Sequence, residues 1–242
     1  SKKLLRILKR LIRVPGNEVM IVSGRPKYAL DAWFKSLPVT LVAEHGAWIR
    51  NRGVWSVRSD FPTDWKEPLM HILQIATERT PGALIEDKTF SLVWHYRNVT
   101  PELAYIRKAG IMHDAEKFLR DSEIDVFEGH QVLEFKPRFI TKGTAAKQKM
   151  GEGGHDFILA IGDDYTDEDL FEALPPGAFT IKVGLTSSKA RYHLATVEHV
   201  LAFISQLSKA VPEPPAALTE DAKHEPDVKR RDHKGDPAGR KP

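Results

Sequence analysis

The chain reads Ile161-Gly162-Asp163-Asp164-Tyr165-Thr166-Asp167-Glu168-Asp169-Leu170 directly after an apolar run at residues 157–160. The apolar run predicts a buried strand, and the amphipathic residues that follow predict a helix, so the acids lie in a strand-to-helix turn. In open α/β sheets, ligands bind at the carboxyl ends of the strands. Crowded carboxylates need a compensating cation or hydrogen bonds, and Mg²⁺ is usually held by one or two carboxylates with waters and a phosphate. The turn therefore predicts a magnesium site, and an acidic first turn that complements the helix dipole is the alternative.

Two further turns follow apolar runs nearer the start of the chain. The run Val19-Met20-Ile21-Val22 leads into Ser23-Gly24-Arg25, and Leu41-Val42-Ala43 leads into Glu44-His45-Gly46, with a predicted helix to about Phe34 between them. Short continuous apolar runs are typical of buried parallel strands, and strand, helix and strand at this spacing predict a βαβ unit. In a parallel sheet all three turns open on the same edge.

Three polar side chains near this edge are candidates for binding or chemistry. Ser23 offers a hydroxyl and backbone N–H groups at a helix N-terminus, which suit a phosphate oxygen, although a plain helix N-cap has the same sequence. Lys142 precedes a predicted helix and either brings a cation to the edge or is simply solvated. His45 is a candidate base, and a histidine packed in its turn is the alternative.

The pattern of apolar and polar residues changes between residues 49 and 132. Alternating stretches such as Ser91-Leu92-Val93-Trp94-His95-Tyr96 mix with helical periodicity there, which predicts an inserted α+β domain. We expect an α/β core over residues 1–48 and 133–208, an inserted domain over 49–132, and a disordered tail over 209–242. The predicted helices lie near 64–79, 101–120, 143–150, 167–173 and 196–208, and further strands lie at 157–161 and 179–183.

Composition excludes several classes of protein. The 242 residues contain no cysteine, which excludes disulfides and thiol chemistry and fits a reducing compartment, so we expect a cytoplasmic protein. No apolar run approaches the roughly 18 residues of a membrane span. The net charge of +3 is small and the tail mixes both signs, so we expect no nucleic-acid partner. Residues 3–13 predict an amphipathic helix that packs on the core, with a membrane-surface helix as the alternative.

The order of these motifs resembles the haloacid dehalogenase superfamily of phosphohydrolases. Ser23 matches its second motif, Lys142 its third, and Asp163 and Asp167 its fourth, while the inserted domain matches the cap of its sugar-phosphatase branch. Within that branch, residues 1–208 are similar to the trehalose-6-phosphate phosphatase family. The phrases that carry the likeness are Val22-Ser23-Gly24-Arg25, Ala43-Glu44-His45-Gly46-Ala47, Trp94-His95-Tyr96-Arg97, Val132-Leu133-Glu134-Phe135-Lys136-Pro137, Thr141-Lys142-Gly143 and Gly162-Asp163-Asp164-Tyr165-Thr166-Asp167-Glu168-Asp169.

One motif of the superfamily is missing from the sequence. The first motif, Asp-x-Asp-Gly-Thr at the end of the first strand, supplies the nucleophile and the general acid/base, and it does not occur in these residues. The resemblance aligns position 1 with the helix that follows this motif. Because the chain starts Ser1-Lys2-Lys3 and keeps the acids of the fourth motif, we expect a Rossmann-like parallel sheet without its first strand and a nucleophile upstream, with an inactive relative as the alternative.

The resemblance implies Mg²⁺-dependent hydrolysis of trehalose 6-phosphate to trehalose and phosphate, through an aspartyl-phosphate, in trehalose biosynthesis. Ser23 and Lys142 would offset the charge of the phosphoryl oxygens. The implied metal ligands are Asp163, Asp164 and Asp167. The implied substrate contacts are Arg25, Glu44, His45, Glu134 and His130.

The resemblance also implies a partner. In many family members this domain is fused behind a glycosyltransferase that makes trehalose 6-phosphate, so we expect a fused or associated synthase. One alternative is a non-catalytic module that binds trehalose 6-phosphate or scaffolds a synthase complex, which would bind the ligand and Mg²⁺ without turnover. Another is a phosphatase for a different sugar phosphate, which a substrate panel would separate.

Overall fold

The structure is a computed structural model that describes residues 2–57, 61–151 and 153–210. The described residues belong to one compact unit. The helices are α1 (Lys2–Arg13), α2 (Lys27–Phe34), α3 (Lys66–Glu78), α4 (Pro101–Arg120), α5 (Lys142–Met150), α6 (Asp167–Ala173) and α7 (Val197–Ala210). The strands are β1 (Met20–Val22), β2 (Thr40–Ala43), β3 (Trp48–Asn51), β4 (Val54–Val57), β5 (Leu84–Asp87), β6 (Leu92–His95), β7 (Ile124–Gly129), β8 (Val132–Pro137), β9 (Leu159–Gly162), β10 (Phe179–Val183) and β11 (Tyr192–Leu194).

Two sheets with parallel strands form the core. In the first, of order β1-β2-β3-β4, β1 runs parallel to β2, and β3 and β4 continue antiparallel. In the second, of order β11-β10-β9, all pairs are parallel. Parallel strands with helices between them are the α/β architecture that the apolar runs predicted.

The inserted domain, called the cap from here on, is an antiparallel sheet covered by helices. Its strand order is β5-β6-β8-β7, and its buried cluster joins residues of the sheet with residues of α3 and α4. Trp94 of β6 is fully buried, and its indole N–H donates to Thr77 Oγ1 of α3 at 3.0 Å. Trp94 thus packs its ring in the core and has a hydrogen-bond partner for its N–H, and both interactions hold α3 on this face of the sheet.

The boundary between the core sheet and the cap sheet does not fall at the predicted domain bounds of 49 and 132. The hairpin of β3 and β4 pairs with β2 and so extends the core sheet, while β8 pairs with β6 and β7 and lies in the cap sheet. The hairpin turns at Arg52 and Gly53, both with positive φ (49° and 85°), and so stays next to β2 in sequence and in space. The sequence of this hairpin, with Trp55 and alternating apolar residues, led to its assignment to the inserted domain. Any half-buried antiparallel strand has that alternation, so the pattern alone does not identify the sheet.

The terminal helices pack on one another. Helix α1 buries Ile7 and Leu8 and contacts α7, which agrees with the core-packing interpretation of its apolar side. Helix α7 ends at Ala210, two residues into the predicted tail, and the rest of that tail lies outside the described residues. Among the described helices, none has the length and apolarity needed to cross a membrane.

Strands β1 and β9 are partly exposed parallel strands of the core. Within the described residues, β1 pairs only with β2 and β9 pairs only with β10. All three residues of β1 are partly exposed, as are Leu159, Ala160 and Ile161 of β9, whereas Leu41, Val42 and Ala43 of β2 are fully buried. Each of these two strands therefore lies at an open edge of its sheet, and the Ser23 turn and the acidic turn of the candidate site follow them.

Candidate functional site

The acidic turn, defined as residues 163–166, joins β9 to α6 and is closed by hydrogen bonds of its own residues. Asp167 Oδ2 accepts the backbone N–H of Asp164 at 2.9 Å, and Asp164 Oδ1 accepts the backbone N–H of Tyr165 at 2.7 Å. Any side chain at Gly162 would overlap the carboxylate of Asp167, so glycine is required where the strand ends. The turn leaves Asp163 and Asp164 exposed at the sheet edge and buries Asp167 beneath them.

Lys142 reaches the same place from the N-terminus of α5. Its Nζ lies 2.8 Å from Asp167 Oδ1, and both side chains are only 7% exposed. Thr141 and Thr144 cap α5 reciprocally, which fixes the backbone that carries Lys142. Burying two charges is favourable only with good geometry and further hydrogen bonds, and Asp167 has both because its other oxygen accepts from Asp164. The structure therefore brings together two residues that the sequence placed 25 positions apart.

The turn after β1 lies close to the turn after β2. Ser23 donates its backbone N–H to Val42 O at 2.9 Å, and its hydroxyl oxygen accepts the backbone N–H of Arg25 at 3.2 Å. His45 donates its backbone N–H to Ser23 O at 3.0 Å. The imidazole of His45 covers Gly24 so closely that a side chain at Gly24 would overlap it. The hydroxyl of Ser23 is thus held at the carboxyl end of β1.

The turn Glu44-His45-Gly46 is strained and tied to the cap. Its three residues have φ of 48°, 58° and 128°, which is the left-handed region that non-glycine residues rarely adopt. The carboxylate of Glu44 accepts the backbone N–H of Thr89 at 2.9 Å and the hydroxyl of Thr89 at 3.2 Å. Such strain persists where the surroundings fix it, and here the surroundings include the loop between β5 and β6 of the cap sheet.

Glu134 of β8 is the centre of a buried polar cluster between core and cap. Its carboxylate lies 3.1 Å from His45 Nε2 and accepts from Lys88 Nζ at 3.1 Å and from Ser91 Oγ at 2.9 Å. Burial alone would raise the pKa of Glu134, but hydrogen bonding to His45 and the nearby lysines outweigh it and hold the pKa well below its usual range. The pKa of His45 is lowered, chiefly because burial disfavours the imidazolium, while Glu134 opposes this shift. Glu134 is therefore a carboxylate at neutral pH.

Lys136 lies two residues further along β8 and is also buried. Its Nζ donates to Ile140 O at 2.7 Å and stands 4.2 Å from the centre of the Phe127 ring. Burial is the main cause that lowers the pKa of Lys136 to about 8, with Glu134 opposing the shift. The side chain spans the short segment that leads from the cap sheet to Lys142.

The predicted site residues divide into those with contacts in these clusters and those without. The structure joins Lys142 with Asp167, and His45 with Glu134. The exposed guanidinium of Arg25 instead stands 5.1 Å from the ring of Trp33, and His130 is exposed beyond the end of β7. Sequence reasoning missed Lys88 and Thr89, whose partners lie more than 40 residues away, and Lys182, although a lysine inside the apolar run of β10 was a visible signal.

The acidic turn has the chemistry of a site for a hard cation. Asp163 and Asp164 present carboxylates at the exposed edge, and carboxylate oxygens are the ligands that Mg²⁺ takes in proteins. Both oxygens of Asp167 already bind Lys142 and the backbone of Asp164. Across the described ranges there is no cluster of three or more acidic or histidine side chains set to hold an ion. The residues present thus fit a magnesium ion that takes one or two protein carboxylates and completes its shell with water and substrate oxygens.

The sequence is similar to that of known phosphatase proteins. The profile of the family described as trehalose-phosphatase matches residues 1–198. The bifunctional trehalose-6-phosphate synthase/phosphatase of Thermoproteus tenax is 34% identical over 205 residues, which cover 84% of this chain and 28% of that protein. The trehalose-phosphatase of Zygosaccharomyces rouxii is 33% identical over 198 residues, which cover 72% of this chain and 22% of that protein. The chain thus spans about a quarter of the length of these curated relatives.

Solved structures of the same kind share the fold. The C-terminal domain of the C. albicans trehalose-6-phosphate phosphatase superposes with a TM-score of 0.78 at 30% identity, covering 86% of this chain and 84% of that one. One crystal form of the Aspergillus fumigatus trehalose-6-phosphate phosphatase gives a TM-score of 0.64 at 35% identity, covering 87% and 84%. These likenesses confirm the predicted fold class, a haloacid dehalogenase type of α/β core with an inserted cap.

Proposed function

Since this chain belongs to the trehalose-phosphatase family, we propose that it forms part of a phosphoric monoester hydrolase that converts trehalose 6-phosphate to trehalose and phosphate. The observation that carries the proposal is the buried pair of Lys142 and Asp167 beneath the exposed Asp163 and Asp164. This arrangement sets an ammonium group and the carboxylates of two exposed residues at one sheet edge. A phosphoryl group and its counter-cation need that combination of charges.

The phosphate would bind between the turn after β1 and the N-terminus of α5. The hydroxyl of Ser23 would donate to one phosphoryl oxygen, and Lys142 would offset the charge of another. Phosphoryl transfer leaves little covalent chemistry to the protein, so charge compensation by fixed groups is its main contribution. The buried ion pair supports this role because Asp167 holds the ammonium of Lys142 in place before substrate arrives.

Asp163 and Asp164 would hold Mg²⁺, with Asp167 acting through water or through its hydrogen bond to the turn. When bound, the ion would neutralise charge that develops on the phosphoryl oxygens. The chain's own contribution is to keep these carboxylates exposed, charged and correctly oriented. The bonds from Tyr165 N–H and Thr166 Oγ1 to the two oxygens of Asp164 support that function.

The nucleophile would be an Asp on a strand that is not within these residues. The sequence contains no Asp-x-Asp-Gly-Thr motif, and β1 and β9 each have a partly exposed edge beside the candidate site. We propose that a strand carried by the longer protein pairs between these edges. Its first Asp would attack phosphorus and form an aspartyl-phosphate, and its second Asp would protonate the leaving sugar oxygen and then activate water.

The sugar would bind between the core and the cap. His45 contacts Glu134 there and Glu44 accepts from Thr89, and the depressed pKa of Glu134 keeps a carboxylate available to accept from sugar hydroxyls. Arg25 and His130 are exposed and would contact the sugar from opposite sides when the cap closes. Closure of this kind excludes water from the reaction.

The longer protein would include a synthase. Several relatives are named as synthases or bifunctional enzymes, and this chain covers only 26% to 28% of five of them. We propose a fused glycosyltransferase that makes trehalose 6-phosphate, which this domain then hydrolyses. The product of that reaction is the substrate proposed here.

A substrate panel tests the proposed function. The chain extended upstream in its native reading frame would be assayed with Mg²⁺ on trehalose 6-phosphate, glucose 6-phosphate and sucrose 6-phosphate. We expect kcat/KM for trehalose 6-phosphate to exceed the others by at least about tenfold, because a site built to hydrogen-bond the hydroxyls of one sugar rejects analogues that do not present them. A preference for another sugar phosphate would reassign the substrate.

A further inference from the structure

Lys182 is a buried cation that no step of the proposed reaction uses. It lies in β10 between Ile181 and Val183, opposite Gly162 of β9, and is 4% exposed. Removing an ammonium group from water costs several kcal/mol unless it is paired and hydrogen-bonded. A lysine in a buried strand therefore has compensating partners, and those partners indicate its role.

The partners of Lys182 are the backbone of the acidic turn. Its Nζ donates to Asp163 O at 2.9 Å and to Asp164 O at 3.1 Å. Glu168 Oε1 lies 3.4 Å from the same Nζ and balances its charge. The ammonium thus contacts the carbonyl oxygens, and not the carboxylates, of the two residues whose side chains stand exposed at the edge.

Glu168 is itself anchored on the other side. Its carboxylate accepts from Ser188 Oγ at 2.9 Å and from the backbone N–H of Lys189 at 2.7 Å, both in the loop before β11. Lys182 and Glu168 therefore connect the acidic turn to a second loop of the core. Two carbonyls that converge on one donor fix the peptide orientations at Asp163 and Asp164.

We propose that Lys182 is a positioning residue, which holds the backbone of the acidic turn in the shape that presents the carboxylates of Asp163 and Asp164. The expected consequence for Mg²⁺ rests on the proposed function, while the effect on the turn does not. Groups behind metal ligands commonly change affinity about 10- to 100-fold when they are removed.

The charge of Lys182 alone predicts the opposite change in cation affinity when the residue is replaced. Lys182 is a positive charge close to the acidic turn, so its removal should strengthen the binding of any cation there. If Lys182 acts by positioning, its removal weakens cation binding in spite of the charge. The sign of the change therefore separates the two roles.

The first test measures the turn itself, by amide hydrogen exchange of this chain and of its Lys182→Met variant. We expect exchange of the Asp164 amide, which donates to Asp167, to rise at least about tenfold, with cap amides such as that of Val93 unchanged. Lys189→Met is the matched control, because its exposed ammonium pairs with Glu172 on the surface. Unchanged exchange at Asp164, or a uniform rise throughout the chain, would overturn the inference.

The second test titrates the same three proteins, and a Lys182→Arg variant, with Mn²⁺. We expect Lys182→Met to bind at least about tenfold more weakly than the unsubstituted chain, Lys189→Met to bind equally well, and Lys182→Arg to recover part of the loss, because a guanidinium can donate to both carbonyls. Equal or tighter binding by Lys182→Met would overturn the inference. If the unsubstituted chain binds no Mn²⁺, that counts against the proposed metal role, and the exchange result decides the inference.

Discussion

The cap and the core differ in where the strands beside the candidate site lie, because the cap strands β6 and β8 are inside their sheet and the core strands β1 and β9 are at sheet edges. In the cap, β6 and β8 are paired on both sides, and Leu92, Trp94 and Phe135 on these strands are fully buried. In the core, β1 and β9 are paired on one side within the described residues and are partly exposed. Parallel strands are ordinarily covered on both faces and paired at both edges in the middle of a sheet.

The difference bears on the proposed upstream strand. The cap is built from one continuous segment, and its buried side chains form a single cluster. The two core sheets are joined through helices, as in the contact of α1 with α7 and the ion pair of Lys149 with Glu18 at 2.6 Å. We therefore expect the cap to be the more stable region, and the core edges to be the region that a further strand completes.

The largest expected effect is that of replacing Asp163, which follows β9 at the edge of the core. In the upstream-extended protein, Asp163→Asn should lower kcat on trehalose 6-phosphate by about 10³-fold, because an amide lacks the charge that would hold the cation. Steady-state phosphate release measures this. Asp156→Asn, an exposed change before the same strand, is the control and should leave kcat unchanged.

The next effect compares the stability of the two regions directly. Leu133→Ala removes a side chain that is 2% exposed in the cap core and should lower the free energy of unfolding by about 3 kcal/mol. Ile21→Ala removes a partly exposed side chain of β1 and should cost about 1 kcal/mol. Urea unfolding of this chain measures both. An equal or larger loss for Ile21→Ala would show that β1 is better packed than its exposure indicates.

The third effect is a pH dependence from Lys136 at the segment between the two regions. Its pKa is lowered to about 8 in the folded chain, so between pH 8 and its unfolded pKa of 10.5 the unfolded state binds more protons. Stability should therefore rise with pH across this interval, by on the order of 2 kcal/mol. Thermal unfolding from pH 7.5 to 10.5 measures it. The rise should be absent in Lys136→Met, and an identical rise there would assign it to other groups.

Much of the fold could be predicted from local pattern. Helix α4 spans 101–120 as predicted, because Pro101 suits the first turn of a helix and the periodicity that follows is unbroken. Helix α6 and strand β10 also have their predicted bounds. The assignment of β3 and β4 to the core was missed, since the pattern of a strand does not say which sheet it joins.

The candidate site was predictable to the extent that its residues end parallel strands. Lys142 and Asp167 were both expected at that edge, but their ion pair depends on the packing of α5 against α6. The bond from Thr89 to Glu44 and the bonds from Lys182 to the acidic turn join distant segments, and no local pattern encodes such pairs. The sequence thus indicates which side chains line the edge, and tertiary packing decides which of them meet.

The most direct test of the central claim is phosphate release from trehalose 6-phosphate with Mg²⁺, measured for this chain beside a version extended upstream through the next strand of its native reading frame. The account predicts release by the extended protein alone, because a strand between β1 and β9 would supply the nucleophilic Asp. Equal release by the shorter chain would contradict the upstream position of the nucleophile. If neither protein releases phosphate and both still bind trehalose 6-phosphate, the result would contradict catalysis and identify a non-catalytic binding module.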